Sequence, residues 1–328
     1  MSIRAATGIA TLLLITSTLA RAETLRLGSD VWPPFTDLPD KPRVAIELVQ
    51  TALERVGIDS NSVVRSDFAD VIQQIRDGQL DGSAAVWRSP EREKFLLYSR
   101  PYLENRLVLV GRKGSDTSAE SLAALKGKRV AIVASYAYGD AVGSNTGPVF
   151  VKGSSDGDNL HSLLRGDVDY VLVDDLVVVH LFRRSPEKAT SLLQVGTTPL
   201  LTRSLHFGLR RDVPHAAEIV KKFNDEIGKM IADGSYNRVL RLDWIRADVD
   251  GDGKSELVLN GAAAGITPPK SSYELFTLDE PTPKAGLKPR FLVNGHRYED
   301  WDQVPPEYKI PLKNRPDPAR PGIVLFEF

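Results

Sequence analysis

Three aspartates at alternate positions, Asp248, Asp250 and Asp252, stand in the run DVDGDGKSE at residues 248–256. A hard cation such as Ca2+ collects several oxygens, and this spacing curls three carboxylates around one point. Gly253 supplies a sharp turn, Glu256 adds a fourth acid, and the Lys254 carbonyl adds a further oxygen. The twelfth position of a full EF-hand loop, where a bidentate Glu belongs, is Leu259, so the motif is only EF-hand-like. A structural Ca2+ ion in a loop over 247–260 is the expectation; the plainer alternative is a polar linker with Asp-Gly turns. Other metal chemistry is not indicated. Cysteine is absent, which removes disulfides, thiolate zinc sites and cysteine nucleophiles. His161, His180, His206, His215 and His296 are scattered and never at the i, i+4 spacing of a zinc hydrolase.

The 328 residues carry 42 basic and 43 acidic side chains, a formal net charge of −1. That balance disfavours nucleic acid as a partner, and the length exceeds what one small domain needs. The first 22 residues read as an export signal. Arg4 precedes an apolar run, Ile9 to Leu19, and Ala20-Arg21-Ala22 has the small-x-small form of a signal peptidase site. Cleavage after Ala22 would leave a periplasmic chain beginning at Glu23. The run is short for a permanent anchor, which is the other reading.

Further on, helical and strand patterns alternate. Leu25 to Gly28 reads as a strand, and Trp32-Pro33-Pro34-Phe35 as a rigid loop. Apolar residues at 45, 46, 48, 49, 52, 53 and 56 predict a helix from Val44, closed by Gly57. Asp70 is expected to cap a second helix, followed by a buried strand from Leu80 to Val86. Thr117 with Glu120 suggests a capping box for a helix ending at Gly127. Strands are expected at Leu107–Val110, Val130–Val133 and Leu205–Leu209, and a long helix from Pro214 to Asp233. The joint Gly78-Gln79-Leu80-Asp81 matches Gly166-Asp167-Val168-Asp169, a faint internal repeat that suggests two α/β units on one plan. Strands alternating with helices imply an α/β fold with mostly parallel sheets. Residues 261–328 are proline-rich and read as a separate extension, with short strands around Phe291–Val293 and Ile323–Phe328.

Several of these segments, in this order, resemble family 3 extracellular solute-binding proteins, the class containing polar amino-acid-binding proteins. They are LRLGSDVWPPF at 25–35, ADVIQQIRDGQLDG at 69–82, SPEREKFLLYSRPYLE at 89–104, LKGKRVAIV at 125–133, LLRGDVDYVLVDD at 163–175 and IADGSYNRVL at 231–240. The third is the most specific. The resemblance implies an α/β two-lobed Venus-flytrap, of the periplasmic binding protein type II-like architecture, with a small C-terminal extension. Lobe one would be 23–111 and 202–246, lobe two 112–201, with crossings near Gly111 and Arg203 and the ligand in the cleft between lobes.

The resemblance also implies roles. Arg92 would clamp a ligand carboxylate, for which a planar guanidinium with two parallel donors is suited; Asp174 would take a ligand amine, with Asp175 capping the helix behind it. Asp30 matches another acidic position, and Trp32 the aromatic that covers the ligand. The small hydroxyl residues of polar amino-acid binders are replaced here by Ala84, Ala85, Trp87 and Arg88 on one side and by Tyr136, Ala137 and Tyr138 on the other. Ser135 and amide groups near Gly139 remain as donors, and Arg88 would offer a second cation to a dicarboxylate. A larger or partly aromatic carboxylate ligand is expected.

A binding component of an ABC importer, not an enzyme, is the leading expectation. Its partners would be a small solute and an inner-membrane permease, with the chain itself a monomer. The alternatives are a dehydratase-like enzyme on the same scaffold and a ligand-sensing protein.

Overall fold

A computed structural model describes residues 24–143, 147–242, 245–254, 256–259 and 290–306. The expected signal segment and the expected strand at Ile323–Phe328 lie outside the described residues.

The first α/β unit comprises β1 (Leu25–Asp30), α1 (Val44–Arg55), β2 (Ser60–Arg65), α2 (Phe68–Arg76) and β3 (Gly82–Trp87). A short turn of helix, α3 (Pro90–Glu93), and β4 (Leu96–Tyr98) lead into the long β5 (Leu103–Arg112). The second unit holds β6 (Arg129–Val133), α4 (Asp140–Gly143), β7 (Val149–Gly153), α5 (Asp156–Arg165) and β8 (Tyr170–Asp174). It continues through α6 (Asp175–Arg184), α7 (Pro186–Leu192) and β9 (Leu193–Val195). The chain returns along β10 (Leu201–Arg210) to α8 (Ala216–Asp233) and α9 (Ser235–Leu240). β11 (Ile245–Ala247), β12 (Glu256–Leu259), β13 (Arg290–Val293) and β14 (His296–Tyr298) follow.

β2, β1, β3, β10, β5, β8, β6 and β7 lie side by side in that order. The chain passes between the two halves of this sheet in β5 and again in β10. The two strands pair antiparallel from Leu103↔Leu205 to Leu107↔Leu201, and from Leu107 to Gly111 β5 pairs with β8. Two ten-residue strands therefore form the hinge, and the change of partner falls at Leu107.

The matched joints are structurally equivalent. Gly78 and Gly166 both take positive φ after α2 and α5, a conformation that side chains resist and glycine accepts. Asp81 then accepts the Arg26 N–H at 2.8 Å and gives its own N–H to the Arg26 carbonyl. Asp169 does the same with Arg129 in the second unit. One device thus locks each helix–strand joint to the first strand of its own unit.

Local competition moves some boundaries. The second helix starts earlier than expected, because Asp67, in extended conformation, accepts the Ala69 N–H and caps it in place of Asp70. Asp81 is occupied at its joint, so the strand expected from Leu80 begins at Gly82. The capping box at Thr117 does not form. Asp116 takes both the N–H and the hydroxyl of Ser118, and only a 3-10 turn at Leu122–Leu125 follows.

β11 to β14 form a second, four-stranded sheet. It is not detached from the lobes. Phe291, Val293 and Val304 are buried in one cluster with Phe223 of α8 and Leu109 of β5. The Asn237 side-chain amide, buried at the end of α9, donates to the carbonyls of Leu242 and Val258 at 3.2 Å each. Arg246 of β11 faces Glu104 on the hinge strand.

Candidate ligand-binding cleft

Two loops of the first lobe and one of the second meet at the carboxyl ends of their strands. After β1, Pro33 and Pro34 lack N–H donors, and the turn closes through Trp32 N–H to the Thr36 carbonyl at 2.8 Å. The Thr36 hydroxyl returns to the Asp30 carbonyl. This folds Trp32 inward, against Phe35 at 4.3 Å between ring centroids. At the end of β3, Ala85 leaves room beside Trp87, whose indole N–H donates to Asn105 of the hinge at 2.7 Å.

Ser89 caps α3, and this single turn aims Arg92 back over the strand ends. Arg92 is only 7% exposed. Its guanidinium donates to the Trp87 carbonyl at 3.0 Å and, across the cleft, to the Ser135 carbonyl at 2.8 Å. It also lies over the Phe68 ring at 5.2 Å, a cation–π contact. Burial lowers its pKa, but an arginine keeps its proton.

From the second lobe, the loop after β6 brings Tyr136 into the cleft. Its hydroxyl donates to the Asp30 carboxylate at 2.9 Å. Tyr138 packs behind on Trp87 at 5.5 Å and accepts the Val133 N–H at 2.9 Å. Asp30, Trp32, Phe68, Ala85, Trp87, Arg92, Tyr136 and Ala137 line a cleft pocket of about 240 Å³, its open mouth included.

Most of the residues singled out by sequence converge here: Asp30, Trp32, Ala85, Trp87, Arg92, Ser135, Tyr136 and Tyr138. Two do not. Arg88 is exposed and paired with Glu93, while its backbone carbonyl accepts from Arg203 at 2.7 Å. Asp174, 1% exposed, caps α6 by accepting the Leu176 N–H at 2.8 Å. The cap therefore falls on Asp174 and not, as expected, on Asp175. Asp174 has the extended backbone of a cap, whereas Asp175 is already in the helix and pairs with Arg106 of the hinge. Burial, then the Asp175 charge, push the Asp174 pKa well up.

Sequence reasoning missed Phe68 and Asp156. Phe68 follows the true cap Asp67 and was hidden by placing the cap at Asp70. Asp156 stands at the start of α5 among polar residues and carries no signal of its own; only the fold brings it opposite Trp32 and Asp30. The Trp32 indole N–H lacks a well-formed hydrogen bond, but the facing acceptor is the Asp156 carboxylate.

Asp30 and Asp156 approach from opposite lobes. Burial, partly offset by the Tyr136 hydroxyl, raises the Asp30 pKa to about 6; its other charged neighbours are Asp67 and Arg92. Burial and the charge of Asp30 raise Asp156 to about 7, with Trp32 opposing. The folded chain thus holds protons that an unfolded chain releases near pH 4. This contribution to stability is present at acid pH and is lost as pH rises through about 6 and 7. Asp156→Asn is expected to flatten the fall of Tm between about pH 4 and pH 7. An unchanged slope would show that Asp156 titrates normally.

The Asp-rich loop is curled as its spacing suggests. Asp248 accepts the N–H groups of Gly251 and Gly253, both at 2.8 Å. Asp248, Asp250 and Glu256 bring carboxylate oxygens within 4.8 Å of one another. This all-oxygen donor set suits a hard divalent cation. Asp252 and the Lys254 carbonyl are turned to Arg290, at 2.9 and 3.1 Å. Arg297 holds Asp250 at 2.7 Å, and both arginines reach the buried Glu256.

Two lobes joined by paired hinge strands, with a polar and aromatic cleft between them, define a Venus-flytrap binding protein. The profile of bacterial extracellular solute-binding proteins, family 3, matches residues 25–246, and the chain belongs to that family, one of binding proteins rather than enzymes. Among curated proteins it is 24% identical over 225 residues to a putative ABC transporter arginine-binding protein 2 of Escherichia coli K12, covering 66% of this chain and 89% of the relative. It is 25% identical over 232 residues to the L-cystine-binding protein TcyJ of the same strain, covering 69% and 84%. Among solved structures, an ancestral arginine-binding protein bound to arginine aligns with a TM-score of 0.57 at 25% identity, covering 67% of this chain and 96% of that one. The VFT2 domain of Bordetella pertussis BvgS shares the fold, with a TM-score of 0.56 at 18% identity, covering 66% and 91%. Among the described residues no helix is long and apolar enough to cross a membrane.

Proposed function

We propose that this chain captures a carboxylate-bearing solute, an amino acid or a close relative, in the cleft and delivers it to an ABC permease in the inner membrane. Export would remove residues 1–22 and leave the protein monomeric in the periplasm. The working lobes are 23–111 with 202–246, and 112–201. The observation that carries the reading is Arg92, a guanidinium almost wholly buried between the lobes whose hydrogen bonds, among the described residues, go to backbone carbonyls. A ligand carboxylate is a stronger partner for it than either carbonyl. Asp30 and Asp156 supply an opposite pole for a ligand cation, in keeping with relatives named for arginine and cystine. Arg88 and Asp174 stand outside the first ring of contacts. A thermal-shift screen of free amino acids and related acids tests this, because a ligand bound only to the folded chain raises Tm by mass action. Arginine, cystine and their analogues are the first compounds to try; a screen in which no carboxylate stabilises the protein would contradict the reading.

The loop 247–260 would hold a structural Ca2+ through Asp248, Asp250 and Glu256, with Asp252 and the Lys254 carbonyl joining once Arg290 and Arg297 move aside. Chelator is then expected to lower Tm relative to millimolar calcium, and Asp250→Ala with Asp252→Ala to abolish the difference. Identical melting of the wild type in both conditions would leave the arginines as the permanent counter-charges.

A further inference from the structure

Tyr136 does more than line the cleft: its ring projects from the second lobe in among the aromatic side chains of the first. Its ring is edge-on to Trp32 and Trp87, each at 5.4 Å, edge-on to Phe68 at 6.1 Å, and tilted against Tyr138 at 6.2 Å. Four rings from both lobes therefore box one ring, and edge-to-face arrangements of this kind are favourable beyond their buried area. The polar end is equally well served. The phenol donates to Asp30, as a ligand N–H or O–H would, and the neighbouring residue's carbonyl occupies Arg92. Each group expected to hold a solute is thus engaged by the second lobe itself.

The geometry points to Tyr136 as a resident occupant of the solute's place: the lobes close on it without ligand, and a solute binds by displacing it. The vacated box takes a planar group of phenol size that ends in an N–H or O–H donor. Positive charge on that donor is favoured, because Asp30 and Asp156 both face it, and the solute's carboxylate goes to the Arg92 guanidinium released from Ser135. This inference rests on the cleft being the solute site, and it adds which shape and which end of the solute enters first.

Small-angle scattering and melting of the solute-free protein test it. Wild type is expected to be compact without solute. Tyr136→Ala is expected to have a larger radius of gyration, a lower Tm and red-shifted tryptophan emission, since Trp32 and Trp87 lose their cover. Adding 4-methylphenol, which replaces the missing ring and hydroxyl, should restore compactness and Tm; toluene, without the donor for Asp30, should restore less. Tyr136→Phe, which keeps the ring, should stay compact if the alanine variant fails to fold. A solute-free wild type as open as Tyr136→Ala, or 4-methylphenol without effect on that variant, would overturn the inference. If the wild type is open yet still binds a carboxylate through Arg92, the cleft reading stands and only the resident tyrosine falls.

Discussion

Arg92→Ala is expected to weaken binding of the cognate solute by tens to thousands of fold while the chain stays folded. Truncating one partner of a desolvated, hydrogen-bonded charge pair costs about 2–5 kcal/mol, much of it from leaving the other charge unpaired. Arg92 meets the conditions for a loss of that size. It is buried, placed by a capped turn, and backed by the Phe68 ring. Its present partners are the Trp87 carbonyl and, across the cleft, the Ser135 carbonyl. Calorimetric titration of both proteins with the solute from the screen measures the difference. Arg26→Ala, on the exposed face of β1, is a suitable control. Arg112 is not, because it braces the Leu163 and Val168 carbonyls at 2.6 and 2.9 Å. Equal affinity in wild type and Arg92→Ala would remove the arginine from the site.

Phe291→Ala is expected to destabilise the receptor as a whole. Phe291 belongs to β13 of the small sheet, yet it is fully buried in a cluster shared with α8 and the hinge strand. Emptying such a position costs about 3–5 kcal/mol from lost transfer energy and the residual cavity. Because the small sheet shares that core, the loss should appear as one cooperative transition at lower denaturant, with an unchanged m-value. A separate early transition that leaves the main midpoint in place would show that the small sheet unfolds independently.

How much of this was legible in the sequence differed by kind of feature. α1 and α8 were plain because their apolar residues recur at helical spacing over three or more turns and a glycine ends each. The paired joints at Asp81 and Asp169 were visible because one bonding pattern needs one residue type twice. Arg92, Trp32 and Tyr136 were found through a resemblance, and the fold brings all three to one cleft. Choices between neighbouring polar residues were not legible. Asp67 or Asp70, and Asp174 or Asp175, differ as caps only in where the preceding backbone leaves the extended state. Thr117 had the right spacing for a cap but lost its N-terminal turn to Asp116. Asp156 was beyond reach altogether, since its meaning arises only when α5 is carried across the hinge to face Asp30. The small sheet was read as separate because its attachment, β11 against β5 and Val258 to Asn237 of α9, depends on contacts distant in sequence.

Hydrogen–deuterium exchange, with and without the solute from the screen, tests the central claim most directly, because it reports where on the chain the ligand acts. Slower exchange is expected in three stretches: the loop over residues 30–36, the end of β3 through α3 at 84–92, and the loop after β6 at 133–139. Any change in the Asp-rich loop at 248–254 should be small by comparison. Protection concentrated in that loop or on the outer faces of the lobes, with the three cleft segments exchanging as before, would contradict the account.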